Sequence, residues 1–169
     1  QSVIDTVMDN HEYSAPLHGV NLQTVQMADL DGDGVDEYLL FTKSTAVDPL
    51  RIFIFQSQNG GFVVLDVIDN SGADFDRVEY VQLDDNPGVE IVLGRQIGKL
   101  TGKRVGVYSL RDGSVHRIFA ADYSHLLCCD LNADGKEELM VLRPGAGTEN
   151  GIAALYEIQS DGSVKTAAA

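Results

Sequence analysis

Oxygen ligands are concentrated in three nine-residue loops: Asp29-Leu-Asp-Gly-Asp-Gly-Val-Asp-Glu37, Gln82-Leu-Asp-Asp-Asn-Pro-Gly-Val-Glu90 and Asp130-Leu-Asn-Ala-Asp-Gly-Lys-Glu-Glu138. In the first, Asp29, Asp31, Asp33, the backbone carbonyl of Val35 and Glu37 place an oxygen at every second position, and Gly34 permits the bend that gathers them. Hard cations such as Ca2+ take about 6–8 oxygens at ~2.3–2.6 Å. The third loop repeats the arrangement with Asp130, Asn132, Asp134, the Lys136 carbonyl and Glu138, bending at Gly135. The second departs from it, with Gln82 for Asp, Asn86 for Asp33 and Pro87 at the glycine position, so Asp84, Asn86 and Glu90 make a weaker metal candidate. Five like charges (Asp29, Asp31, Asp33, Asp36 and Glu37) crowd loop 1, and their repulsion opposes folding unless a cation or N–H groups compensate. Metal-free Asx turns, in which carboxylates accept backbone N–H bonds, are the other way to settle such a loop. An EF-hand is excluded, because its twelfth position would fall on Leu40 or Val141 inside an apolar run.

The elements that hold these loops repeat with them. The loops start 53 and 48 residues apart, and each is followed at once by an apolar run: Tyr38–Phe41, Ile91–Leu93 and Leu139–Leu142. A second run follows at Arg51–Phe55, Arg104–Tyr108 and Ile152–Tyr156, then a turn dipeptide at Asn59-Gly60, Asp112-Gly113 and Asp161-Gly162. Asn, Asp and Gly tolerate the positive φ of tight hairpins. A closing run (Phe62–Leu65, Val115–Phe119, Val164–Thr166) and a short strand before each loop (Val25–Ala28, Val78–Val81, Leu126–Cys129) complete the unit. The runs are short, β-branched or aromatic, and bounded by Gly, Asp, Asn and Pro. The predicted fold is therefore all-β: three four-stranded antiparallel blades of a partial or open β-propeller, about residues 24–67, 75–120 and 124–166, in a repeat domain spanning 21–169. Residues 1–20 stand outside the repeat. With Val3, Ile4, Val7 and Met8 on one helical face and Ser2 as a cap, they read either as a short amphipathic helix or as a loosely packed leader.

The Asp-x-Asp-x-Asp-Gly-x-x-acid loop at Asp29–Glu37 and the Asp-x-Asn-x-Asp-Gly-x-x-acid loop at Asp130–Glu138, each between the first and second strands of a blade, resemble the FG-GAP/VCBS repeats of integrin α-subunit propellers and many bacterial surface proteins and lipoproteins. The resemblance covers about residues 21–166. It implies calcium-stabilised scaffolding, an extracytoplasmic, cell-surface or secreted location, and adhesion or recognition of a protein or glycan ligand. Closed propellers need about 4–8 blades, so three blades imply further blades of a longer chain, an open assembly or a homodimer.

The remaining composition excludes several classes. Net charge is −14 over 169 residues, with 26 acidic against 12 basic residues, which argues against nucleic acid or an anionic membrane as partner. No apolar run approaches the ~18–20 residues of a membrane span. The first residue is Gln1 and not Met, which suggests a processed or trimmed form. Phosphate-loop, zinc-protease and nucleophile-elbow motifs are absent, and Gly94–Lys103 reads as an exposed basic connection within blade 2. The four histidines, His11, His18, His116 and His125, are scattered, and His125 reads as a surface residue at a strand edge. Cys128 and Cys129 read as packed thiols on opposite faces of one strand, with a thiolate disfavoured by Asp130. Tyr38, Phe41, Phe53, Phe55 and Tyr108 are expected between blades. The functional expectation is a non-enzymatic binding module stiffened by calcium loops. Two alternatives are a carbohydrate-active propeller enzyme whose catalytic residues lie mostly outside this chain, and a structural spacer of a surface lipoprotein.

Overall fold

The computed structural model describes residues 3–99, 102–145 and 150–168; Ser2, the expected cap, lies outside them. The described residues are nearly all β-strand, with one short helix, α1 (Val3–Val7). Blade 1 contains β1 (His11–Tyr13), β2 (Val25–Ala28), β3 (Glu37–Ser44), β4 (Leu50–Gln58) and β5 (Gly61–Asn70). Blade 2 is β6 (Asp74–Val81), β7 (Glu90–Gln96), β8 (Lys103–Arg111) and β9 (Ser114–Tyr123); blade 3 is β10 (His125–Cys129), β11 (Glu138–Arg143), β12 (Ile152–Ile158) and β13 (Val164–Ala168). Each sheet is an antiparallel meander in chain order. The blades are four strands wide, as the repeat predicts, and in blade 1 two segments share the first strand's place: β2 pairs with Glu37–Leu40 and β1 with Thr42–Ser44 of β3.

The repeat extends to backbone detail. Asn59-Gly60 and Asp112-Gly113 both take two consecutive positive φ values, 51° and 79° in the first turn and 51° and 74° in the second, which matches the twist of the flanking strands. Each outer strand pair also carries a bulge opposite the same aromatic position, beside Phe55, Tyr108 and Tyr156. A bulge leaves one residue unpaired and sharpens local twist, so all three sheets bend alike.

Alternation puts one face of each strand into a seam between blades. The first seam joins Leu39, Phe41, Ile52 and Ile54 to Phe75, Val78, Ile91 and Leu93, and Phe41 meets Phe75 edge to face at 5.1 Å. The second joins Val92, Val105, Val107 and Tyr123 to Leu126, Leu139, Val141 and Ile158. Such side chains stabilise by about 1.5–3 kcal/mol each when fully buried. Tyr108 lies in the first seam as expected, but Phe53 and Phe55 face the other way and pack with Leu40 against Val7 and Met8, at the C-terminal end of α1. The end of the helix thus covers part of the apolar outer face of blade 1.

The sheet begins at His11, upstream of the sequence repeat, and the segment between β1 and β2 crosses to blade 2. The Leu17 and His18 amides donate to the carbonyls of Phe75 and Asp76, and Asn21 donates to that of Val78, so this segment covers the free edge of β6. Gly94, Arg95 and Gln96 belong to β7 and Lys103 opens β8, and Arg95 is buried and donates to the Ser71 carbonyl; the exposed connection expected over Gly94–Lys103 is shorter by these residues. Within that connection Leu100 and Thr101 lie outside the described residues.

Candidate metal centres in the blade loops

Each acidic loop leaves the first strand of its blade and enters the second. The closing glutamates, Glu37, Glu90 and Glu138, open β3, β7 and β11 and are buried, at 1%, 2% and 3% exposure. Each uses Oε2 to accept the N–H of the second loop residue: Leu30 at 2.9 Å, Leu83 at 2.8 Å and Leu131 at 2.8 Å. This latch explains why the acid stands at the ninth position, where the strand returns beside the loop's start. The loops also lean on one another. The Val89 amide donates to the Asp29 carbonyl, and the Glu137 amide to the Gln82 carbonyl, so the eighth residue of one loop clasps the first residue of the loop before it.

Loop 1 is an Asx-turn ladder. Asp29 accepts from Gly32 and Gly34, Asp31 from the Asp33 amide, and Asp33 from the Val35 amide, at 2.7–3.1 Å. Carboxylate oxygens of Asp29, Asp31 and Glu37 lie within 4.8 Å of one another. Asp33 is outside this group, its Oδ1 turned to the Val35 amide. No basic side chain pairs with the group among the described residues. Burial raises the Glu37 carboxyl above its ordinary range; the Leu30 amide opposes this, while Asp31, Asp33 and Asp29 add to it. Three unneutralised carboxylates around one point, with no sulfur or nitrogen donor, fit a hard divalent cation.

Loop 3 repeats the ladder: Asp130 accepts from Asp134 and Gly135, Asn132 from Asp134, and Asp134 from the Lys136 amide. Asp130, Asp134 and Glu138 bring oxygens within 4.8 Å of one another. Compensation is partial here. Asn132 Nδ2 donates to Asp134 and Glu138, and the Lys136 ammonium stands 3.9 Å from Asp134 while pairing with Asp85 at 3.1 Å. The Asp134 carboxyl is held below its ordinary range, first by the Lys136 amide, with desolvation opposing it and Asn132 and the Lys136 charge adding to it.

Loop 2 meets the same repulsion with protein groups. Asp84, fully buried, takes the Arg111 guanidinium at 2.7 Å and the Asn86 amide at 2.9 Å. Gln82 Nε2 donates across the loop to the carbonyls of Asp84 and Asn86, both at 2.7 Å, and Asn86 also reaches the Ser160 carbonyl. Its backbone takes another path, with the left-handed residue at Gly88 (φ 90°), where loops 1 and 3 use Gly34 and Gly135 (φ 87° and 89°). That path accommodates Pro87. Asp84, Asn86 and Glu90, the weaker candidate, are thus spoken for by protein donors. Burial pushes the Glu90 carboxyl up to about 7; the Leu83 amide and Arg111 oppose this, and Asp84 reinforces it.

Cys128 and Cys129 are not joined in a disulfide and are half-buried. Burial, and then Glu79 and Glu137, push the Cys128 thiol far up, so the neighbouring charges that disfavour thiolate there come from Glu79 and Glu137. Sequence reasoning missed one polar assembly: His18, Asp76, Lys103 and Tyr123, remote in sequence, meet where blades 2 and 3 join, with His125 at the rim. Only the topology brings the two histidines together.

No helix among the described residues is long and apolar enough to cross a membrane. No family model matches the chain, and no curated protein does. Among solved structures, the rhamnogalacturonan lyase YesW is similar at 16% identity and a TM-score of 0.48, over 82% of this chain; the chain spans 36% of the length of that protein.

Proposed function

We propose that the chain is a non-enzymatic, extracytoplasmic binding module of FG-GAP/VCBS type whose first and third blade loops hold calcium. The observation that carries the reading is the Asp29–Asp31–Glu37 group, whose carboxylates converge with no counter-cation while the equivalent loop 2 has one from Arg111. Asp29, Asp31 and Glu37 would hold the ion in loop 1, with Asp33 and the Val35 carbonyl as further oxygens. Asp130, Asp134 and Glu138 would do so in loop 3, with Asn132 and the Lys136 carbonyl. The ion's chemistry is charge neutralisation and cross-linking: it ties the strand-opening glutamate to the loop tip and fixes the surface that the loops present. Ligand linkage at about 100 times Kd contributes ~2.7 kcal/mol, which for a domain of this size is a rise of roughly 5–10 °C in midpoint. Differential scanning calorimetry in millimolar CaCl2 against EDTA measures it. Asp31→Asn and Asp134→Asn are each expected to remove part of the rise, and an identical midpoint with and without chelator would defeat the metal reading.

A further inference from the structure

Asp76 is a bulged residue. Phe75 pairs with Arg95 and Arg77 with Gly94, so Asp76 is the extra residue of β6, and both Phe75 and Asp76 are buried. Bulges re-aim side chains: Phe75 enters the first seam, and Asp76 reaches Tyr123 in the second. Its carboxylate is saturated there. Oδ1 faces Lys103 Nζ at 2.8 Å and His18 Nδ1 at 2.9 Å, and Oδ2 accepts from the Tyr123 hydroxyl at 2.5 Å. Burial works against the charge on Asp76, but the hydrogen bonds from Lys103, Tyr123 and His18 outweigh it and hold the carboxyl below its ordinary range. Tyr123 is pushed well above its ordinary range by burial first and then by Asp76, so it stays a donor. The space for its hydroxyl exists because residue 94 is glycine: a Cβ there would lie 2.0 Å from that oxygen.

A saturated carboxylate is not a free ligand-binding acceptor; it is an organiser. Being ionised it can only accept, so His18 donates through Nδ1, and its Nε2 is not used by Asp76. His18 is pinned twice, since its backbone amide also donates to the Asp76 carbonyl at 2.8 Å. Its side chain nevertheless remains 63% exposed, which a purely structural tie would not require. It borders a cleft of about 330 Å3 that Arg77, Lys103 and His125 also line, with Asp76 and Tyr123 among its walls. Small-molecule sites occupy roughly 300–1,000 Å3 and set a few convergent polar groups in a concave surface. Lys103 keeps N–H groups beyond its one bond to Asp76, and Arg77 spends Nη1 on the Leu126 carbonyl with Glu79 at 3.6 Å. In a chain of net charge −14, this cleft gathers two permanent cations and two imidazoles around one neutralised acid.

We propose that this cleft binds a small hydroxy-carboxylate, with Lys103 and Arg77 taking the carboxylate and His18 Nε2 hydrogen-bonding a neighbouring hydroxyl. The site is separate from the metal loops, and its test reads neither calcium nor melting temperature. Sodium gluconate is titrated into the 15N-labelled chain at constant ionic strength, following the His18 ring nitrogens and the Lys103 and Arg77 amides, with exposed His116 as internal control. Saturable shifts at the cleft and none at His116 are expected. Acetate, lacking the hydroxyl, should bind several-fold more weakly, and inorganic phosphate should bind more weakly than gluconate. Lys103→Met should weaken gluconate at least tenfold. Should that variant not fold, His18→Ala, at a mostly exposed position, should weaken gluconate several-fold and abolish its advantage over acetate. Linear, unsaturating shifts, equal binding of phosphate, or unchanged affinity in His18→Ala would overturn the proposal.

Discussion

Loops 1 and 2 differ in how each balances its charge. Both latch a buried glutamate onto the amide of a buried leucine, and the two loops rest on each other through Val89 and Asp29. Loop 2 neutralises its buried aspartate with Arg111, brought from the adjacent strand β8, and braces its carbonyls with the Gln82 amide. Loop 1 has neither, and its three convergent carboxylates face one another. Loop 3 stands between, with Asn132 and Lys136 supplying part of the compensation. One motif therefore carries an internal solution to this repulsion in loop 2 and, under the proposed function, an external one in loop 1. The internal one came with a glycine moved from the sixth position to the seventh.

The largest break in this comparison is expected from Arg111→Met. Losing one partner of a buried pair leaves an uncompensated charge, which costs about 3–5 kcal/mol. Asp84 has no solvent access to soften the loss. Denaturant unfolding should show a much lower midpoint. Calcium should not restore it, because Gln82 and Pro87 still occupy the loop. Recovery by calcium would show that loop 2 is a metal loop whose cation had merely been replaced.

Next comes the contact between the loops. A Cβ on Gly32 would lie 2.2 Å from the Pro87 side chain and 2.5 Å from the Gly88 amide nitrogen. Gly32→Ala is expected to cost ~3 kcal/mol, since backbone must shift to relieve the overlap. The Gly88 position is equally tight, with a Cβ 2.3 Å from the Leu30 carbonyl oxygen. A loss below 1 kcal/mol in chemical denaturation would mean that the loops are not clasped as described.

These two residues also mark how far the sequence could be read. The blade count, strand order and turn positions were legible, because the Asp-Gly loops, the hairpin dipeptides and the apolar runs recur in one register. The three-carboxylate groups were legible as well, with Asp33 displaced to a backbone amide. The partnership of Arg111 with Asp84 was not, because it joins residues 27 apart whose proximity depends on how the blade's third strand lies over the loop. Nor could the Asp76 assembly be read. His18 falls outside the repeat, and a bulge in β6 has no signature in a run such as Asp74-Phe-Asp-Arg-Val78. The exposed connection was overextended because Arg95 looked solvated by type, whereas its guanidinium finds the Ser71 carbonyl inside the fold.

A smaller effect separates the glutamates. Arg111 neutralises Asp84 more than Glu90, whose carboxyl burial raises from 4.5 to about 7. Because the folded value exceeds the unfolded one, the folded state holds the proton more tightly. The associated stability is fully present below pH ~4.5 and is lost as pH rises through 7, by roughly 3 kcal/mol in full, of which about 2 kcal/mol falls between pH 5 and 7. Glu90→Gln should keep an acceptor for the Leu83 amide and flatten that part of the stability profile. An unchanged slope between pH 5 and 7 would place the titration on another group.

The smallest effect tests whether loop 3 shares loop 1's backbone. Ala133 stands at loop 1's Gly32 position and takes the same left-handed conformation, φ 60° against 77°. Ala fits there because loop 3 has no neighbour pressing on that position: Ala133 is exposed, whereas Gly32 meets Pro87 and Gly88. The conformation costs a non-glycine residue ~1–2 kcal/mol. Glycine relieves this but adds about 0.4–1 kcal/mol of unfolded-state entropy. Ala133→Gly should therefore stabilise by roughly 0.5 kcal/mol, seen as a small rise in denaturant midpoint at constant slope, with the calcium response intact. The sign matters more than the size: a loss of stability would mean that loop 3 does not hold the left-handed turn that gathers Asp130, Asp134 and Glu138.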